Sequence, residues 1–349
     1  MTISMILTGL LCGALLGFVM QRGRFCLTGG FRDMYLAKDN RMFYALLIAI
    51  TVQSIGVFTL IELDYIEYDA GQFQWLASIL GSFIFGVGII LAGGCATGTW
   101  YRAGEGLIGS WIALAGYMLM AAIMKSGPLK QVNTSLADYS TAHNSIADTL
   151  GLSVWLLIAL LTVVTAVVVI RTLRKPRPFV PTLKPKRTGL SHLLFEKRWH
   201  PFVTALLVGL IAILAWPLSA ATGRNFGLGV TTPSANILQY LVTGDDAVLN
   251  WGVYLVLGIL LGSFIAAKAS REFRFRAPDA KTAVLSLLGG LLMGFGASWA
   301  GGCSIGNGLV MTSMMTWQGW VSLVFIILGT WTASYFVYVR PRRARADGN

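Results

Sequence analysis

The chain has 349 residues, of which 55% are hydrophobic and 12% charged, where a soluble domain of that size carries about 25% charged residues. Too few charges remain to cover a water-facing surface, so the composition excludes an ordinary soluble globule and points to a membrane-embedded chain. The formal charge of +12 resides in connections between apolar runs, so topology explains it better than nucleic-acid binding does.

A helical span needs about 20 mainly apolar residues. Nine stretches qualify, near 4–20, 42–61, 75–93, 107–124, 152–170, 202–220, 249–267, 283–300 and 318–339. The expected fold class is therefore an all-α polytopic membrane protein. Residues 4–20 lack a charged leader region and a cleavage pattern, and read as a retained span. Lys and Arg mark the cytoplasmic side of a membrane protein. The connections 21–41, 94–106, 171–200 and 268–281, with the tail after Tyr338, hold 24 of the 27 basic residues. All five fall on one side of a nine-span chain, whereas Glu62, Asp64, Glu67 and Asp69 fall on the other. The expected N-terminus is outside and the C-terminus inside. Pro176, Pro178, Pro181 and Pro185 oppose a continuous helix in 171–200 and mark it as a linker.

Leu80–Cys95 aligns without gaps with Leu288–Cys303, and nine positions agree through Gly98 and Gly306. They include an Ala-Gly-Gly-Cys run in each copy. A weaker echo joins Gly23-Arg24-Phe25-Cys26 to Gly223-Arg224-Asn225-Phe226-Gly227, which sets Gly227 opposite Cys26. Copies displaced by five spans are inverted in the membrane, a common transporter plan. The expected division is 1–126 as a first repeat, 127–200 as a linker span with its basic connection, and 201–349 as a second, inverted repeat. Each Gly-Gly-Cys run ends an apolar stretch as a helix break. Ala96–Arg102 and Ser304–Met315 then suit short re-entrant half-helices whose N–H groups face an anion. Gly94, Ala96, Gly302 and Ser304 supply the backbone at those breaks.

Cys12, inside the first span, reads as packing. Cys26, Cys95 and Cys303 are the candidate site. Metal binding is weakly supported, because no Cys-x-x-Cys exists and His143, His192 and His200 lie in loops. A redox relay wants paired cysteines with one accessible to a partner. Direct recognition of a soft, sulfur-containing anion by polarisable thiols is the third option. Arg24 and Arg224 are candidates for attracting the anion; Glu105 reads as a partner of Arg102. There is no P-loop, and no cofactor is expected.

Arg22-Gly-Arg-Phe-Cys26, Ala-Gly-Gly-Cys95-Ala-Thr-Gly and Ala-Gly-Gly-Cys303-Ser-Ile-Gly-Asn-Gly resemble the three cysteine motifs of the YeeE/YedE family, most closely its YeeE branch. Members are bacterial inner-membrane thiosulfate uptake proteins. The resemblance implies an hourglass-shaped helical protein narrowed by re-entrant helices. It implies that thiosulfate passes Cys26, Cys95 and Cys303 by S–H hydrogen bonding without covalent change. It also implies a cytoplasmic TusA-like sulfurtransferase as partner. Two other readings stand beside it: a membrane thiol oxidoreductase or sulfurtransferase, and a transporter for another sulfur or selenium anion.

Overall fold

The computed structural model describes residues 3–174 and 188–342; the prolines of the expected linker lie outside the described residues. Among those described there are no β-strands, only isolated bridges such as Phe73 with Thr141. The helices in chain order are α1 (Ile3–Gly23), α2 (Leu27–Leu36), α3 (Arg41–Glu62), α4 (Trp75–Leu91), α5 (Ala96–Gly104), α6 (Ile108–Ser126), α7 (Lys130–Thr134), α8 (Ile146–Leu150) and α9 (Val154–Arg174). They continue with α10 (Gly189–Phe195), α11 (Pro201–Ala220), α12 (Thr231–Thr243), α13 (Trp251–Ala269), α14 (Ala280–Trp299) and α15 (Trp317–Ser334), with a π-helix at Gly306–Met311 before α15. Nine segments among the described residues are long and apolar enough to cross a membrane, and they coincide with the nine expected spans.

Local chemistry starts these helices. Asn250, Asp279 and Thr316 each accept a backbone N–H three residues ahead, at Val253, Thr282 and Gly319, which satisfies one of the unpaired donors of a first turn. Pro201 begins α11, where its missing N–H costs nothing.

Apolar side chains give helices no reason to associate in lipid, so close packing of small residues and a few polar contacts hold the bundle together. The tightest seam joins α1 to α13. Gly9, Gly13 and Gly17 of α1 recur every fourth residue against the backbone of α13, where Gly13 meets Gly258; a Cβ on Gly13 would overlap the Leu255 carbonyl, and one on Gly262 the Ala14 carbonyl. By contrast, α9 buries only Ile158 and Thr165, and the Thr165 hydroxyl lies 3.0 Å from that of Thr51 on α3. The rest of α9 faces outward as an apolar surface suited to lipid.

The two ends of the bundle differ in charge. At one, Gln21, Arg22 and Arg24 meet Glu272, and the Arg274 N–H donates to the Glu105 carbonyl. At the other, the acidic 62–69 connection is tied down by Trp155 to Glu62, Asn225 to the Glu67 carbonyl and Tyr68 to the Met314 carbonyl. Of the short helical pieces, α2, α5, α12 and the π-helix matter for the site. α2, α5 and the π-helix begin with the buried residues Leu27, Ala96 and Gly306, whereas α12 carries the exposed Thr232 in its first turn and is buried from Pro233 to Asn236.

The glycine seam gives a direct test. Gly13→Val should lower stability by at least ~2 kcal/mol, because the new side chain meets rigid backbone rather than a yielding side chain. The measurement is the thermal midpoint and monodispersity of detergent-solubilised protein. A variant as stable as the original would show that the seam does not set the packing.

Candidate functional site

The three motif cysteines share one backbone hydrogen-bonding pattern, although Cys303 stands two residues before Ile305, the residue that precedes its π-helix. Each carbonyl accepts the N–H four residues on, at the start of a helical piece: Gly30 to Cys26 at 3.1 Å, Thr99 to Cys95 at 2.7 Å and Asn307 to Cys303 at 2.8 Å. Cys26 is the residue before α2 and Cys95 the residue before α5. The first-turn N–H groups of such a helix lack backbone partners. One of them, Gly98 N–H, donates to the Cys95 sulfur at 3.3 Å.

The chain reaches these positions through sharp reversals. Gly93 and Gly301 have φ of +72° and +70°, a conformation open to glycine and strained for other residues. Gly94 and Gly302, the second glycines, are buried, as are Ala96 and Ser304. Arg102 donates to the Gly93 carbonyl and so braces the first break. Asn307 braces the second, donating to the carbonyls of Ala300 at 2.7 Å and Gly302 at 3.2 Å, and Gln318 adds a bond to Ala300 at 3.1 Å.

The sulfurs of Cys26 and Cys95 both face Gly98: a Cβ built there would sit 3.5 and 3.2 Å from them. The two thiols are therefore neighbours across Gly98, and Ser304 of the other break lies near Cys95. Tyr117 of α6, fully buried, lies within electrostatic reach of both Cys95 and Cys303 and donates to the Thr231 hydroxyl at 2.8 Å. Trp100 of α5 donates to Ser234 of α12 at 3.0 Å. Thus the helix starts that the sequence holds far apart are brought together. All four cysteines are buried and unpaired by disulfides; Cys12 packs within α1 and borders no described cavity.

Cavities flank this cluster on both sides. At the basic end a space of about 1110 Å³ reaches Cys26 and is bordered by Arg22, Arg24, Arg41, Arg102, Lys197 and Arg198. At the acidic end a space of about 240 Å³ is bordered by Trp216, Gly301, Met311, Met314 and Gln318 beneath Glu67 and Asp69. Among the described residues no group of His, Cys, Asp and Glu could hold a metal ion.

The candidate arginines are both engaged within the chain. Arg24 lines the basic cavity but is paired with Glu105 at 3.3 Å and Glu272 at 2.8 Å, so its charge is largely neutralised. Glu105 is therefore the partner of Arg24, and Arg102 spends its donor on the Gly93 carbonyl instead. Arg224 is tied into its own turn: Nη1 donates to Ser219 Oγ, the Phe226 carbonyl and the Gly227 carbonyl, all at 2.9 Å. Burial pulls its guanidinium down to about 10. The residue before α12 is Val230, so by helix start Val230, not Gly227, occupies the place of Cys26.

Several neighbours escaped the sequence reading. Tyr117 sits in an apolar run that gives no hint of a partner, and Glu272 reads only as one charge in a basic connection. Thr28 and Thr97 carried a usable signal, since each lies two residues after a motif cysteine.

A family model described as sulphur transport matches residues 22–332. The chain belongs to the sulphur transport family. It is 71% identical over 340 residues to "Thiosulfate transporter TsuA" of Escherichia coli (strain K12), covering 97% of each chain. It is 33% identical over 353 residues to the protein of the same name from Spirochaeta thermophila, covering 96% of this chain and all of that one. "Probable transporter YedE" of Escherichia coli (strain K12) matches over 117 residues only, at 33% identity, a third of this chain and 28% of that protein. Membership agrees with the resemblance carried by the three cysteine motifs, and the full-length relatives carry the names of transporters rather than enzymes.

Glu105 yields a pH prediction. Burial, only partly offset by Arg24, pushes its carboxyl above the usual range. A raised carboxyl pKa means that the folded state holds the proton more tightly than the unfolded one, so this residue's contribution is full below the ordinary Glu value of about 4.3 and is lost as pH rises through the raised value. Glu105→Gln should flatten the fall in thermal midpoint across that window. An unaltered pH profile would remove Glu105 as its source.

Proposed function

We propose that this chain takes up thiosulfate across a bacterial inner membrane, passing the anion between the thiols of Cys303, Cys95 and Cys26 by S–H hydrogen bonding without covalent change. The observation that carries the reading is the cluster of buried Cys26 and Cys95 across Gly98, with buried Cys303 at the second break, between two cavities at opposite ends of the bundle. The named activity of the full-length relatives supplies the substrate. A thiol is a soft, weak donor, matched to the terminal sulfur of thiosulfate and too weak to trap it, and conduction requires that a site release what it binds.

The positive-inside rule makes the basic end cytoplasmic and the acidic end periplasmic, with the N-terminus periplasmic and the C-terminus cytoplasmic. Residues 1–126 and 201–349 then form two inverted repeats around an hourglass-like neck, joined by 127–200. The matching φ values at Gly93 and Gly301 and the shared backbone hydrogen-bonding pattern of Cys95 and Cys303 support that symmetry. The wide basic cavity suits delivery of the anion to a small cytoplasmic sulfurtransferase of the TusA-like kind that the resemblance implies. The protein needs no cofactor in this reading.

The nearness of Cys26 and Cys95 across Gly98 also suits a dithiol oxidoreductase, and mass separates the two readings. Labelled thiosulfate uptake into proteoliposomes, with and without ion gradients, is the test. Cys95→Ala and Cys303→Ala should each reduce uptake to background, Cys26→Ala should reduce it strongly, and Cys12→Ala should leave it unchanged. The intact protein should keep its mass during uptake. Full activity of Cys303→Ala would overturn the assigned path, and a persulfide or disulfide mass shift during turnover would favour the enzyme. Competition by unlabelled sulfite, sulfate and selenium oxyanions measures selectivity.

A further inference from the structure

Thiols account for the soft end of thiosulfate but leave its oxygens without a recognition partner. Beside two of the three thiols stands a buried hydroxyl of a type not yet assigned. Thr28 and Thr97 occupy the same register, each the second residue of a half-helix and each two places after a motif cysteine. Thr28 is 4% exposed and Thr97 fully buried, and neither hydroxyl oxygen has a hydrogen-bond partner.

The register explains why they are free. A threonine inside a helix ordinarily donates to the carbonyl four residues back, as Thr51 does to Leu47 at 2.8 Å and Thr330 to Ile326 at 2.7 Å. At the second position of a helix that carbonyl lies before the helix begins and points elsewhere. Thr99, two residues further into α5, already finds the Ala96 carbonyl at 2.6 Å. Buried polar groups without partners are rare, and each calls for an explanation. Two at one register, each two residues after a thiol that faces Gly98, have a common one.

We infer that the Thr28 and Thr97 hydroxyls are oxyanion donors of the translocation path, each holding an oxygen of the substrate while the adjacent thiol meets its sulfur. The inference rests on the reading of the path given above and deepens it. Each station then pairs a soft donor with a hard one: Cys26 with Thr28, Cys95 with Thr97. Cys303 has Ser304 as its immediate neighbour, which lies near Cys95 and can serve the handover between breaks. The ligand class follows from this pairing. It is a small anion with oxygens and one exposed soft sulfur, as distinct from hydrosulfide, which lacks oxygens, and from sulfate, which lacks the soft end. A neutral hydroxyl also suits a low-dielectric neck, where a hydrogen bond to a charged acceptor is strong and a fixed cation would hold the anion too long.

The test uses valine, which keeps the shape of threonine and deletes the hydroxyl, and serine, which keeps the hydroxyl and deletes the methyl. Labelled thiosulfate uptake is measured in proteoliposomes for Thr97→Val, Thr97→Ser, Thr28→Val and Thr28→Ser, with the amount of folded protein normalised by size exclusion. Each valine variant should lose uptake on the order of tenfold, the usual weight of one hydrogen bond to a charged group, while each serine variant stays within about twofold of the original. Valine variants with unchanged uptake would overturn the inference. So would serine variants as impaired as the valine ones, since that result assigns the effect to methyl packing. If Thr97→Val fails to fold, the Thr28 pair decides by the same criteria. Absence of thiosulfate uptake by the unsubstituted protein would overturn the reading of the path and this inference with it, whereas active original protein with indifferent valine variants overturns the inference alone.

Discussion

The structure depends on one constraint: a helix that starts at membrane depth leaves N–H groups with no water to receive them. Each unsatisfied group there costs several kcal/mol, so lipid-exposed starts do not occur. This chain places such starts inside the protein, where α2, α5 and the π-helix begin in buried surroundings. The N–H groups that cannot be paired then become an anion-attracting feature at the centre of an apolar bundle. The glycine seam between α1 and α13, the brace of Arg102 on Gly93 and the Asn307–Gln318 brace on Ala300 hold those starts in position.

That constraint orders the roles of the charged residues. Arginine is scarce at the neck and abundant at the basic end, and the arginines nearest the cysteines are engaged. Arg24 is shared by two carboxylates, Arg102 is bound to a carbonyl, and Arg224 closes its own turn. Arg102 and Arg224 thus fix backbone at breaks. In the reading proposed above, recognition falls to neutral groups: thiols, hydroxyls and helix N–H groups.

Much of this was legible in the sequence, for identifiable reasons. All nine spans were, because apolar length is a one-dimensional signal. The breaks at Gly93–Cys95 and Gly301–Cys303 were legible because glycine pairs interrupt two aligned apolar runs. The convergence of Cys26 on Cys95 was not, since nothing in the spacing between residues 26 and 95 encodes nearness. The pairing of Glu105 with Arg24 rather than Arg102 was lost for a similar reason. Neighbours in sequence compete with neighbours in space, and Arg102 is drawn away by a carbonyl that only the folded break presents. The counterpart of Cys26 also shifted, from Gly227 to Val230, because the connection before α12 is longer than that before α2 and a sequence echo cannot locate where a helix begins.

The burial of the three motif cysteines bears on more than the cargo. The two described cavities share no lining residue, so neither one alone carries a thread of water past the thiols. A bacterial membrane stores energy as a voltage, worth about 2.3 kcal/mol per charge for each 100 mV, and any standing aqueous wire across it would drain that store through protons. A neck filled by its own buried side chains opposes such a wire. In the uptake proposed above, those side chains part for the anion alone, and the membrane keeps its voltage.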